Sequence, residues 1–160
     1  AGTLADKLFA LGAACIVTAL TQVEQGTETY EKQNEADATF CKKIKKEDGA
    51  LDFTESARQL CRLVRAMDPE PLAFTRCGGK LVNILSAVPA EGAAGACGEV
   101  VRADKTGIYV AAGDGCLCIR SLQFEGGKRL SAADAVNGRK VCVGDVFGAV
   151  GAGGADGGGR

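Results

Sequence analysis

Histidine is missing from this chain. Its absence excludes the Ser-His-Asp and Cys-His groupings of nucleophilic catalysis and removes the commonest protein ligand of transition metals. The eight cysteines form no Cys-x-x-Cys pair, so the usual spacing of a structural zinc site is missing too. We therefore predict neither a histidine-dependent catalytic group nor a metal site, and interpret the cysteines as reduced thiols that pack like small apolar side chains.

Long apolar runs and a secretory signal are also missing. No run approaches the ~18 apolar residues of a membrane span, and the first residues lack the basic start and cleavage pattern of a signal peptide. The formal net charge of -1 gives no general attraction for nucleic acid. These features predict a soluble protein of the bacterial cytoplasm or an organellar matrix, not secreted and with no membrane partner.

Apolar periodicity predicts two helices in the first part of the chain. Apolar side chains recur at steps of three and four over residues 3–25, which indicates a helix that Gly26 ends. A second helix is expected after Thr54 as its cap, and its buried face would carry Ala57, Leu60, Cys61, Val64 and Met67.

Short runs of branched and aromatic residues predict six strands, which begin near residues 72, 80, 99, 108, 116 and 141. Paired glycines at 78–79 and the Gly-Asp-Gly at 113–115 indicate tight hairpin turns. Ser131, followed by Asp134, predicts a short capped helix that ends at residues 137–138. The chain is therefore expected to be mainly β with helices (α+β), an OB-like small β-barrel of about six strands preceded by two helices.

Residues 113–148 carry the most specific motif. Within them, LQFEGGKRLSAADAVNGRKVCVGD resembles the C-terminal domain of the methionyl-tRNA formyltransferase family, whose pattern is LQ, a Gly/Lys/Arg turn, an SA-x-D helix, NG and a final strand. Upstream, FCKKIKKEDGALD resembles the lysine-rich linker of that family, and RAMDPEPLAFT resembles its RAF-N-P-W-P-x-AF-T segment. The three motifs occur in the family's order.

The resemblance implies how the chain is organised. Residues 1–26 would be a helix from the end of the catalytic domain, residues 27–53 a lysine-rich linker, and residues 54–148 a C-terminal helix plus OB-like barrel. The Gly-rich residues 149–160 are expected to be a disordered tail. The family's catalytic Asn, His and Asp lie in an N-terminal domain that this sequence does not contain, so we expect a fragment that is inactive alone.

The resemblance also implies a function. Enzymes of this family move a formyl group from 10-formyltetrahydrofolate to the α-amino group of methionine on initiator tRNA, in translation initiation. This chain would hold initiator methionyl-tRNA, with the N-terminal formyltransferase domain as a second partner and the folate needed only by the intact enzyme. Two alternatives stay open: a free-standing OB-like RNA-binding module, and the C-terminal part of another formyltransferase.

Basic residues are the candidate tRNA contacts, because lysine and arginine fix the position of phosphates without reading sequence. They lie in the linker, on the second helix, in the turn before Ser131 and after Gly138, and are Lys42, Lys43, Lys45, Lys46, Arg58, Arg62, Lys128, Arg129, Arg139 and Lys140. The alternative for each group is a solvated linker, helix face or turn.

Overall fold

The computed structural model describes residues 1–92 and 95–148. It divides the chain into two compact units, residues 1–44 and residues 45–160. The first unit contains helix α1 (Gly2–Gln25) and a 3₁₀ turn at Glu35–Asp37. Gly26 ends α1 in the left-handed conformation, with φ 65°, as the sequence predicts. The predicted disordered tail, residues 149–160, lies outside the described residues.

Helix α1 is apolar over most of its length, and none of its residues is buried. An 18-residue window reaches a mean hydropathy of 1.6, so the helix is long and apolar enough to cross a membrane by length and composition alone. By this criterion the prediction that no segment approaches a membrane span is wrong, because Asp6, Lys7 and Glu24 lie near the ends and leave the middle uncharged. Helices of soluble proteins meet the same criterion.

The second unit is built on one curled antiparallel sheet, in the order β3-β4-β5-β2-β1-β7 with β6 paired to β5. In chain order its strands are β1 (Ala73–Cys77), β2 (Lys80–Ala90), β3 (Val100–Asp104), β4 (Gly107–Ala112), β5 (Gly115–Phe124), β6 (Arg129–Ser131) and β7 (Phe147–Gly148). The sheet curls until its ends meet: Phe147 N donates to Gly98 O at 2.7 Å, and Val100 N donates to Asp145 O at 2.8 Å. The predicted α+β class is confirmed.

The strand near the end of the chain differs from the prediction. A strand was expected from residue 141, but the structure has turns at residues 141–145 and strand only at Phe147–Gly148. The Asp145 carboxylate accepts from Cys142 N at 2.8 Å, and Gly144 takes φ 89°, which together bend this segment away from extended backbone. The short β6, which the sequence analysis missed, brings the described strands to seven.

Helix α2 (Ala57–Met67) packs across the sheet against β2 and β5. Its predicted buried face is confirmed in full, since Ala57, Leu60, Cys61, Val64 and Met67 are all buried. The predicted cap Thr54 is wrong. The Ser56 hydroxyl accepts from Gln59 N at 3.2 Å, whereas Thr54 lies two residues earlier in a turn, where its hydroxyl and its backbone N–H both donate to the Asp52 carboxylate.

The last helix, α3 (Ala132–Asn137), begins as predicted, with the Ser131 hydroxyl accepting from Asp134 N at 3.1 Å. It is short and uses its two buried alanines, Ala132 and Ala135, to pack against the sheet. This packing places the segment after Gly138 beside one end of the barrel.

The end of the lysine-rich linker is fixed to the edge of β1. Leu51 N donates to Phe74 O at 2.9 Å, beside a parallel bridge between Ala50 and Phe74. Gly49 is required here, because a Cβ at this position would lie 2.5 Å from the Leu72 carbonyl oxygen.

Candidate nucleic-acid interface

A groove of about 1050 Å³ lies at one end of the barrel. The β1–β2 turn, the β5–β6 turn and the segment between α3 and β7 form its walls. The side chains that give it chemical character are Lys80, Phe124, Glu125, Arg139, Lys140 and Asp145. The groove is therefore made by three turns, and a rigid sheet holds them together.

The tight turn between β1 and β2 forms the first wall of the groove. Gly78 and Gly79 take φ 55° and 78°, the two left-handed positions of a type I′ turn, which confirms the predicted hairpin. The turn pairs Cys77 with Lys80 at the start of β2. Lys80 is exposed and lies near the end of β5, since Glu125 N donates to Leu81 O at 3.0 Å.

A glycine-rich turn after β5 forms the second wall. Gly126 takes φ 67°, Gly127 N donates to Phe124 O at 2.9 Å, and the Gln123 side-chain amide donates to Gly127 O at 2.9 Å. These bonds close the turn and direct the chain into β6. Lys128 and Arg129 follow directly and are exposed at the same end of the barrel.

The third wall begins where α3 ends. Arg139 has φ 51°, although the neighbouring Gly138 keeps an ordinary negative φ of -78°. Lys140 N donates back to Ala135 O at 2.9 Å, the closing bond of a left-handed helix terminus. A non-glycine residue in this conformation is strained by about 1–2 kcal/mol, and here the strained residue places a cation beside the groove.

The cations of the groove are unpaired. Among the described residues, Lys80, Arg139 and Lys140 have no hydrogen-bond or ion-pair partner for their side chains. The ammonium group of Lys140 lies 5.8 Å from the centre of the Phe124 ring. Three free cations at one groove provide a ready contact for phosphates, although Glu125 and Asp145 place carboxylates in the same groove.

A buried thiol also lines the groove. Burial raises the pKa of Cys77, and the nearby Asp145 carboxylate raises it further. The thiol is therefore neutral near pH 7 and is not activated as a nucleophile. The four buried cysteines pack as the sequence analysis expects, while Cys15, Cys41, Cys97 and Cys142 are exposed, and all eight thiols are free.

The structure brings part of the predicted basic set together. Arg139 and Lys140 line the groove, and Lys128 and Arg129 occupy the turn beside it. Lys80 joins them and was missed by the sequence analysis. The paired glycines predict that Lys80 follows a hairpin turn. They do not predict that Lys80 lies near Phe124, because this also requires the pairing of β2 with β5, which the sequence does not reveal.

The α2 arginines lie at the other end of the barrel. Arg58 borders a smaller cavity of about 250 Å³ together with Glu91 and Asp114, and Asp114 accepts from Ala57 N at 2.7 Å. Strand β2 has 11 residues and runs from the groove to this cavity, so about 30 Å separates the two ends at ~3.3 Å per residue. Arg62 is exposed on the same helix.

The linker lysines are divided between the two units. Lys45 and Lys46 belong to the second unit, where Lys45 N donates to the Asp48 carboxylate at 2.7 Å at the start of a 3₁₀ turn, Lys46–Gly49. Lys42 and Lys43 belong to the first unit. Lys45 and Lys46 do not line the groove of their own unit.

A protein-family model described as formyl transferase, C-terminal domain, matches residues 43–140. This match covers α2, the first six strands, α3 and the groove residues up to Lys140. The chain therefore belongs to the formyl transferase C-terminal domain family.

The similar proteins are more specific. A methionyl-tRNA formyltransferase of Pseudomonas fluorescens (strain SBW25) is 38% identical over 151 residues, 93% of this chain and 47% of the relative. The methionyl-tRNA formyltransferase of Methylacidiphilum infernorum is 40% identical over 153 residues, 92% of this chain and 48% of the relative. The chain thus spans about half the length of these curated relatives, and the resemblance found in the sequence is confirmed.

Solved structures share the fold. HypX from Aquifex aeolicus in complex with tetrahydrofolic acid has a TM-score of 0.59 and 24% identity, covering 74% of this chain and 21% of that protein. A HypX variant has a TM-score of 0.64 and covers 81% of this chain and 23% of its own. At this identity the likeness extends to the fold alone.

Proposed function

We propose that this chain is the tRNA-holding, C-terminal part of a methionyl-tRNA formyltransferase. In the intact enzyme, a formyl group from 10-formyltetrahydrofolate would be transferred to the α-amino group of methionine on initiator tRNA. The family membership of residues 43–140 and the 38–40% identity to enzymes of that name support the proposal. Tetrahydrofolic acid is bound in the HypX structure, which agrees with a folate donor for the intact enzyme. Its place of action would be the cytoplasm.

The observation that carries the proposal is the set of unpaired cations at one end of the barrel. Lys80, Arg139 and Lys140 border a single groove, and Lys128 and Arg129 extend the basic surface along the adjacent turn. Neutralising phosphates with such side chains releases counterions and gives affinity that depends little on sequence. The groove would therefore hold the tRNA backbone and fix its orientation.

The contribution of this chain to the reaction is positioning. Holding two reactants in the right geometry removes part of the entropic barrier of a bimolecular step, and contacts far from the reacting atoms can supply this effect. The acylated end of the tRNA would reach the catalytic groups of the N-terminal formyltransferase domain. That domain is the second partner proposed for this chain. Because the family's catalytic Asn, His and Asp lie in that domain, the proton transfers of the reaction would be carried out there.

Two further basic regions are proposed as accessory contacts. The linker lysines Lys45 and Lys46 lie in a turn fixed beside β1, and Lys42 and Lys43 precede them. Arg58 and Arg62 project from α2 at the end of the barrel opposite the groove. A tRNA that contacts both ends would have to extend along the barrel, so these contacts are proposed as independent of the groove.

Competition binding tests this function. The purified full chain should bind structured initiator tRNA more tightly than an unstructured RNA of the same length, and it should show no formyl transfer when supplied with 10-formyltetrahydrofolate. Preference for the unstructured RNA would support the free-standing RNA-binding alternative instead. Measurable turnover by the chain alone would overturn the assignment of the chemistry to another domain.

A further inference from the structure

Phe124 presents part of an aromatic ring to the groove. It is the last residue of β5, and it is only partly buried, since it packs on the core cluster and also lines the groove. Lys140 also lines the groove and holds its ammonium group over the ring, 5.8 Å from the ring centre, so a base that stacks there would displace this group from the ring toward the phosphate. A partly exposed aromatic ring with a cation beside it is the kind of surface on which nucleic-acid bases stack.

The glycines of the groove leave room next to this ring. Gly78, Gly126 and Gly144 all have positive φ, and a Cβ at any of the three would meet no atom within 4 Å. The walls around the Phe124 ring are therefore low and consist largely of backbone. A groove of about 1050 Å³ is larger than a single base needs, since pockets of ~300–1,000 Å³ already hold drug-sized molecules.

The polar groups around the ring fit the other parts of a nucleotide. Lys80, Arg139 and Lys140 are free to hold phosphate oxygens, as argued above. Glu125 is exposed, and the Asp145 carboxylate uses one oxygen, Oδ2, to accept from Cys142 N. Carboxylates accept from the exocyclic amino groups of cytosine, adenine and guanine and from the ring N–H groups of guanine and uracil.

We infer that the groove binds an unpaired nucleotide of the RNA, with its base stacked on Phe124 and its phosphate on the neighbouring cations. Glu125 and Asp145 supply acceptors for the amino and ring N–H groups of that base. The inference rests on the proposed function only in taking RNA as the partner. The proposed function requires only phosphate contacts at the groove, and the stacking of a base on Phe124 is a further contact at the same surface.

The test compares short single-stranded RNAs on the unaltered full chain. An eight-nucleotide cytidine strand should bind roughly tenfold more tightly than a strand of the same length with abasic positions. Equal binding of the cytidine and abasic strands would overturn the inference. If that equality were found while initiator tRNA still bound with a steep salt dependence, the inference would fail and the proposed function would stand.

Substitutions at Phe124 provide the second arm. Phe124→Leu keeps an apolar side chain against the core and removes the ring, so cytidine-strand affinity should fall roughly tenfold while the salt dependence stays unchanged. Tyr109→Leu is the matched control, because Tyr109 is also a partly buried strand aromatic with a cation over its ring, Arg102 at 3.5 Å, and it does not line the groove. The affinity of this variant for the cytidine strand should match that of the unaltered chain. The chain contains no tryptophan and two tyrosines, so Phe124→Trp creates a single tryptophan that can be excited selectively and that keeps a stacking surface. The cytidine strand should quench its fluorescence and the abasic strand should not; equal quenching by both would contradict base stacking.

Discussion

Lys140 holds its ammonium group 5.8 Å from the centre of the Phe124 ring, although 16 positions of sequence separate them (140 − 124 = 16). The two residues meet because β5 ends at Phe124 while the helix terminus after α3 returns the chain to the same end of the barrel. This relationship joins an aromatic surface to a free cation. It explains why the groove, and not the more lysine-rich linker, is the surface that we place at the centre of tRNA binding.

Replacing Arg139 separates stability from binding. Arg139→Gly should leave the free energy of unfolding unchanged or raise it by up to about 1 kcal/mol, because the backbone of glycine adopts positive φ without the steric strain that an arginine side chain causes there. It should weaken tRNA binding through loss of a cation. Arg139→Gln, the matched variant, should lose the same affinity with no gain in stability. Urea denaturation and tRNA titration check both, and a destabilised glycine variant would contradict the strain at this terminus.

Gly49 should not tolerate alanine. The added Cβ would lie 2.5 Å from the Leu72 carbonyl oxygen, so the linker end must move away from β1, at a cost of about 1–3 kcal/mol. Gly148→Ala is the control, since it lies on the partner strand of β1 and its Cβ would meet no atom within 4 Å. Thermal denaturation should show a lower Tm for the Gly49 variant only. Equal melting temperatures would show that the linker is not held tightly there.

Cysteine labelling tests the burial of the groove thiol. Burial and the Asp145 carboxylate raise the pKa of Cys77, so less of it is thiolate at mildly alkaline pH than for an exposed cysteine. Iodoacetamide followed by mass spectrometry should therefore modify Cys142, which is exposed, well before Cys77. Raising the pH should increase the Cys77 rate. Comparable rates for the two thiols in the folded protein would contradict the packing of β1 against β7.

The β3–β4 turn should lose stability in acid. Hydrogen bonds from the Thr106 side chain and backbone hold the pKa of Asp104 below its usual value of 3.8. Because the pKa of Asp104 is lower in the folded state than in the unfolded state, its ionised carboxylate stabilises the folded protein. This stabilisation is fully present at a pH above the unfolded-state pKa and is lost as the pH falls through the folded-state pKa. Between about pH 6 and about pH 3, the Tm of the unaltered chain should fall more steeply than that of Asp104→Asn. Parallel curves would exclude this contribution.

Local signals in the sequence predicted much of the fold. Gly26 ends α1, paired glycines make the β1–β2 turn, and the Ser131 cap begins α3, because each of these features depends on neighbours within a few residues. Two predictions failed where a side chain a few positions away competes for the same backbone. Asp52 holds Thr54 in a turn, so that α2 begins two residues later with Ser56 as its cap, and the Asp145 carboxylate turns residues 142–145 out of the expected strand.

The groove could be predicted only in part. Lys128, Arg129, Arg139 and Lys140 lie in motifs that the sequence displays, and the structure gathers them at one end of the barrel. Lys80 and Phe124 were missed as site residues because their proximity depends on the antiparallel register of β2 with β5. Register is set by long-range pairing and the buried face of the sheet, which short motifs do not specify.

The central claim is that the cations of the groove hold tRNA through its phosphates. The most direct measurement is the slope of log binding constant against log salt concentration for initiator tRNA, with the full chain and with the combined variant Lys80→Gln, Arg139→Gln and Lys140→Gln. We expect the steep slope of the unaltered chain to become shallower by roughly two to three in the combined variant, about one for each lost contact. Lys105→Gln, which removes an exposed lysine in the β3–β4 turn away from the groove, should leave the slope unchanged. An unchanged slope in the combined variant, or an equal loss in the Lys105 control, would contradict the account.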